Sequence, residues 1–139
     1  MSLTTHEEDA IRNEVDQAFL ALVTASRELD FDRYLNSFDR DLFSGLRADG
    51  TVMHSIADLE QTYRPGFEML ESIEELEFRN VKITVLNATT AILVNEYSDV
   101  SILKTGGRVS GKGGGTQVWA KSDGAWKLVS VSSSSSAER

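Results

Sequence analysis

The chain has 139 residues, a formal net charge of -8, one proline and no cysteine. That length suits one domain able to bury about 70% of the surface its unfolded form exposes. Without cysteine there is no disulfide framework, thiolate nucleophile or sulfur-ligated metal, and the negative charge argues against the basic footprint of a nucleic-acid binder.

The first ten residues carry His6, Glu7, Glu8 and Asp9 where a secretory leader needs basic and then apolar residues. No run of about 18 apolar residues occurs, so no helix is expected to span a membrane. The expectation is a cytoplasmic protein with one domain over residues 1–139, without a membrane or nucleic-acid partner. From Thr5 to about Leu29, Ile11, Val15, Ala18, Phe19, Leu22 and Val23 recur at helical spacing, with Thr4 or Thr5 as cap and acids in the first turn. Asp30 caps a predicted short helix from Phe31 to Phe38 that turns Tyr34, Leu35 and Phe38 inward. Leu42 to Leu46 and Thr51 to His54 read as a short hairpin around Asp49 and Gly50. Ser55 with Asp58 resembles a capping box opening a third helix, carrying Leu59, Tyr63, Phe67 and Leu70, which Pro65 and Gly66 should kink or interrupt. The glutamates at 68, 71, 74, 75 and 77 read as a solvated face.

After that the period changes to two. Val81, Ile83 and Val85 alternate with polar residues, residues 87–90 turn the chain, and a second alternating run spans Ala91 to Leu103. Gly106 and Gly107 mark another turn, and a strand from Arg108 to Lys121 leads to Asp123-Gly124, the strongest short-range hairpin signal. Glycines 111, 113, 114 and 115 mark a bulge, a sharp bend or a close backbone approach. The stretch from Gly106 to Gly113 nearly matches a phosphate-binding loop. It lacks the final hydroxyl and precedes a strand where that motif needs a helix, which excludes nucleotide binding. Residues 134–139 should fray.

If a type I′ turn pairs Ser122 with Ala125, Trp119 lies opposite Leu128 and Gln117 opposite Ser130. Gln117, Trp119, Ser130 and Ser132 then share one face, and Val118, Ala120, Val129 and Val131 the other. Both faces are largely apolar, so each needs a cover: helices and a ligand on one, a second subunit on the other. In the preceding strand Leu93, Asn95, Tyr97 and Asp99 share a face. Polar groups there need partners, a ligand or water, since leaving one unpaired costs about 1–3 kcal/mol. The alternative for Asn95 and Asp99 is a solvated rim, and for Phe19, Tyr97 and Trp119 plain core.

Helices followed by long antiparallel strands read as α+β. The order helix, helix, short hairpin, helix, four strands, closing on Val118-Trp119, Lys121, Asp123-Gly124 and Trp126-Lys127, resembles the nuclear transport factor two-like superfamily from about His6 to Ser133. That group includes ketosteroid isomerases, polyketide cyclases and the association domain of calmodulin-dependent kinase. The resemblance implies three helices on a strongly curved, mostly antiparallel sheet forming a cone with an internal pocket, and a convex face that dimerises. Matched position by position to the isomerases, their base aspartate falls near Leu46, their helix tyrosine at Phe19 and their protonated aspartate at Gln117. None of the three acid–base groups is retained, although the Gln117 amide can still donate a hydrogen bond.

The candidate ligand-binding residues are therefore Phe19, Tyr34, Leu93, Asn95, Tyr97, Gln117, Trp119, Ser130 and Ser132. Asp99 and His54 are the acid–base candidates, for a reaction of isomerase, cyclase or hydratase type. His54 reads equally as a surface residue before a helix. One histidine cannot build a metal site, and no cofactor is expected. Arg47, Arg64 and Arg79 are isolated cations, none singled out for a ligand. The expected partners are a small apolar or mixed-polarity molecule and a second copy meeting the convex residues Val94, Val118, Ala120, Val129 and Val131. The alternative is a non-catalytic dimerisation or accessory module, which explains the missing acid–base groups more simply.

Overall fold

A computed structural model describes residues 2–136. Helix α1 spans Thr5–Arg27 and α2 spans Phe31–Leu35. Strands β1, Ser44–Leu46, and β2, Val52–Met53, form the short hairpin before helix α3, Ile56–Glu68. Four long strands follow: β3 at Leu70–Asn87, β4 at Thr90–Leu103, β5 at Arg108–Ser122 and β6 at Ala125–Ser135.

Helix α1 starts where Thr4 Oγ1 accepts from the Glu7 backbone N–H at 3.1 Å and the Glu7 carboxylate accepts from the Thr4 N–H at 2.9 Å. This reciprocal cap satisfies two donors that a helix start leaves open. The helix buries Val15, Phe19, Leu22, Val23 and Ala25 against the sheet, and Phe19 meets Phe78 edge to face at 5.1 Å. Each large apolar side chain so buried stabilises the fold by about 1.5–3 kcal/mol. Helix α3 runs through Pro65 to Glu68 instead of breaking there. Among the described residues, no helix is long and apolar enough to cross a membrane, and no cluster of three acidic, histidine or cysteine side chains could hold a metal ion.

The expected cone does not form. The six strands lie in the order β2-β1-β6-β5-β4-β3, an open mixed sheet whose outermost strands β2 and β3 do not meet, and which is not strongly curved. Closure would require those two edges to pair, and β2 has only two residues to offer. The sheet is mixed because β1 joins β6 in parallel, after Phe38 has bridged to Leu128 in the same sense.

Two strands differ from their expected form for one reason, an extra residue in the ladder. Strand β3 begins at Leu70, where the third helix was expected to continue and well before Val81. It shifts register against β4 at four places, each time with one residue more than its partner. Its inward side chains Leu70, Ile73 and Leu76 therefore sit three apart, a spacing that imitates a helix. In the last hairpin the turn is as expected, with Asp123 and Gly124 at φ 52° and 80° and Ser122 opposite Ala125. Trp119 does pair with Leu128. Val129 is then supernumerary, so Gln117 faces Val131 and Ser130 faces Val118. Beyond this bulge every side chain of β6 changes face, and Val131 joins the core side.

The β4–β5 pairing through Gly111, Gly113, Gly114 and Gly115 is continuous, with no bulge among the glycines. A close approach is present: a Cβ on Gly113 would lie 1.8 Å from the Ser134 carbonyl oxygen. Ser134 and Ser135 belong to β6, so the expected fraying does not reach them. The Ser136 N–H donates to the Lys112 carbonyl at 2.8 Å, and residues 137–139 lie outside the described residues.

Candidate functional site

Between α1, α2 and the inner face of the sheet lies a chamber of about 190 Å³. Leu22, Val23 and Ser26 of α1 form one wall with Tyr34 and Phe38. Asn95 and Tyr97 of β4, Gly115 and Gln117 of β5, and Val131 and Ser133 of β6 form the other. No aspartate, glutamate, histidine, lysine or arginine among the described residues lines it. Ser26, Tyr34 and Phe78 are shared with a more open outer chamber of about 330 Å³, bounded by Tyr63 and Phe67 of α3, Leu76 of β3, and Asp99 and Ser101 of β4.

The inner chamber exists because β5 has glycine where a side chain would fill it. Gly111, Gly113 and Gly115 pair with Asp99, Tyr97 and Asn95, all on the inward face. A Cβ on Gly115 would rest 3.7 Å from the Asn95 side-chain nitrogen, and one on Gly111 3.5 Å from an Asp99 carboxylate oxygen. With that column bare, the polar tip of Asn95 borders the chamber, and that of Tyr97 reaches across β5 to the end of β6.

Asn95 and Gln117 are buried, 8% and 7% exposed. Gln117 Oε1 accepts from Trp119 Nε1 at 2.9 Å. The Gln117 amide nitrogen and the Asn95 amide have no hydrogen-bond partner among the described residues, yet no side-chain nitrogen or oxygen there is sealed off without one. Both amides therefore open onto the chamber. The Tyr97 hydroxyl donates to the Ser134 carbonyl at 3.2 Å and fastens the end of β6 across the sheet. Burial pushes the Tyr34 phenol well above its usual pKa, and nearby Tyr63 adds to this, so Tyr34 stays neutral. In the outer chamber desolvation raises the Asp99 carboxyl pKa, which favours its protonated form.

The expected residues thus separate into four groups. Tyr34, Asn95, Tyr97 and Gln117 meet at the inner chamber, and Asp99 stands in the outer one. Phe19, Leu93 and Trp119 are packed into the core. Ser130 and Ser132 face away from the chamber, because the extra residue at Val129 reverses the strand, and Val131 and Ser133 take the places expected for them. His54 is exposed beside α3, its backbone N–H bonded to Asp58 Oδ2 at 2.8 Å, and lines neither chamber.

The three arginines are engaged elsewhere. Arg47 ties the short hairpin to α3 through Thr62, Val52 and the Asp58 carbonyl. Arg64 lies over the Phe31 ring at 4.6 Å and pairs with Asp32, and Arg79 pairs with Glu77. Alternation alone hides Val131 and Ser133. The consecutive apolar pair Leu128-Val129 is the one local sign of the slip, and glycine at every second position from 111 to 115 is the sign of the bare column.

Residues 15–138 match the family described as SnoaL-like domain. Among solved structures, the chain is similar to a proposed dehydratase of the NTF2-like family from Streptomyces avermitilis, at 18% identity and a TM-score of 0.81, over 94% of this chain and 99% of that one. It is also similar to a proposed scytalone dehydratase from Novosphingobium aromaticivorans, at 12% identity and a TM-score of 0.83, over 96% and 89%. The association domain of C. elegans CaMKII matches at 16% identity and a TM-score of 0.71, over 91% and 97%. Such identities show a shared fold alone. No curated protein matches the chain.

Proposed function

We propose that this chain, which belongs to the SnoaL-like domain family, binds a small, uncharged, mostly apolar molecule between its helices and sheet. The observation that carries this reading is the pair of buried amides, Asn95 and Gln117, opening onto an otherwise apolar chamber without an ionised group. A buried polar group without a partner is costly, and a ligand oxygen or water in the chamber removes that cost. An apolar cavity of about 150 Å³ accepts benzene, so about 190 Å³ suits one substituted ring. A second ring would extend past Tyr34 and Phe78 into the outer chamber.

Any chemistry belongs to Asp99. Its raised pKa suits a general acid or base, and the inner chamber has no ionised side chain to compete for that role. This supports a metal-free acid–base reaction of isomerase, cyclase or hydratase type, on a substrate held at its inner end by Asn95 and Gln117.

The test is a thermal-shift and calorimetry panel of neutral one- and two-ring compounds. A ligand at 100 times its dissociation constant should stabilise the fold by about 2.7 kcal/mol. A panel in which no member raises the melting temperature defeats the reading.

A second reading, a dimerisation or accessory module, is supported by the outer sheet face. There Val94 is 38% exposed, Val118 lies between Ile92 and Ser130, and Lys82 opposite Val94 and Lys127 opposite Ala120 border the apolar stretch. Two copies meeting through this face fit both readings. Val131 is not part of that surface, since it lines the chamber. Light scattering that gives a monomer mass at micromolar concentration would rule the dimer out.

A further inference from the structure

The two ends of a primary amide have opposite hydrogen-bonding sense: the oxygen accepts and the nitrogen donates. In Gln117 the choice of end is settled by its neighbour. An indole N–H only donates, so the atom 2.9 Å from Trp119 Nε1 is the amide oxygen. Trp119 is fully buried, which leaves its ring no room to turn away. Reversing Gln117 would set two donors against each other and leave the indole N–H unpaired in the core. With the oxygen held by Trp119, both N–H bonds of the amide nitrogen are left for the chamber. Asn95 is held at neither end and can present either one.

We infer that Trp119 is a positioning residue that fixes the polarity of the inner chamber: it orients the Gln117 N–H bonds toward the ligand, so that the ligand's inner end is a hydrogen-bond acceptor, a carbonyl or ether oxygen on a neutral ring. The inference rests on reading the chamber as a binding site. A ligand ending in N–H would meet donor against donor at Gln117 and is rejected on that ground. A tryptophan kept only for packing would affect stability, but would not distinguish ligands of one shape and different polarity.

The test compares acetophenone with α-methylstyrene, which has the same outline and a methylene in place of the oxygen, on the wild-type chain and on Trp119→Phe. The variant should lower the acetophenone to α-methylstyrene affinity ratio roughly fivefold, the effect of one hydrogen bond, and leave α-methylstyrene binding within about twofold. An unchanged ratio overturns the inference. A second measurement needs no variant and stands even if Trp119→Phe fails to fold. In wild-type ¹H–¹⁵N spectra either ring should shift the Gln117 side-chain amide pair by its ring current, and acetophenone should add a downfield amide-proton shift that α-methylstyrene does not give. If both compounds bind and shift that pair alike, the polarity assignment fails while the chamber remains a binding site. If neither compound binds, the assignment fails, and the binding reading fails with it only when the whole panel of neutral rings leaves the melting temperature unchanged.

Discussion

The inner and outer chambers share Ser26, Tyr34 and Phe78 as a common wall, yet their chemistry differs. The inner one is bounded by apolar side chains, two neutral amides and hydroxyls. The outer one holds Asp99 with Tyr63 and Ser101, and is wider. A neutral recess can discriminate by shape and hydrogen bonding without moving a proton, whereas a partly desolvated carboxyl can exchange one. On the proposed function, recognition and proton chemistry share one face of one strand, at Asn95 and Asp99 of β4, four residues apart with Tyr97 between them.

Removing the carboxyl tests that division most severely. Asp99→Asn should lower any turnover by about 10²–10⁴-fold and leave inner-chamber affinity unchanged, as read by steady-state kinetics beside calorimetry. Loss of binding in that variant would mean that the chambers do not act separately. Next in size is the contrast between two glycines. Gly113→Ala meets the Ser134 carbonyl and should cost about 1–3 kcal/mol in urea denaturation, because backbone must move. Gly115→Ala makes only ordinary contacts, so it should leave stability nearly unchanged and weaken ligand binding by filling the recess.

A smaller effect is expected for Asn95→Ala, which should reduce affinity for an oxygen-bearing ring by roughly fivefold, against little change for its hydrocarbon analogue. The smallest concerns pH. Asp99 has a folded pKa above its unfolded value of 3.8, so the folded state favours its proton. Its ionisation therefore weakens the fold progressively as pH rises from the unfolded pKa through the folded one. Asp99→Asn should match wild-type stability below that window and show a slightly higher melting temperature at pH 7. Equal melting temperatures across the range would show that the carboxyl is not desolvated.

Much of the fold is legible wherever local rules act alone. The cap at Thr4, the spacing along α1 and the turn at Asp123-Gly124 each depend on a few neighbouring residues, and each takes its expected form. Failure comes where pairing with a distant strand overrides the local period. The three-residue steps from Leu70 to Leu76 make sense only against β4, and the reversal after Leu128 only against β5. The candidate site divides in the same way. Asn95, Tyr97 and Gln117 sit on strands whose alternation is intact up to the chamber, while Ser130 and Ser132 lie beyond the slip. Openness of the sheet was not legible, since no local pattern states whether the two edge strands find each other.

The exclusion of Val129 from the β5–β6 ladder decides what a bound molecule touches. Drawing Val129 into the ladder opposite Val118 would turn the far half of β6 over, bringing serine to the place of Val131 and sending the valine outward to the surface where a second copy would sit. Deleting Val129 would leave both faces as they are, whereas its entry into the ladder would hydrate the recess and grease the exterior together, a coupling that no point substitution at either surface reproduces.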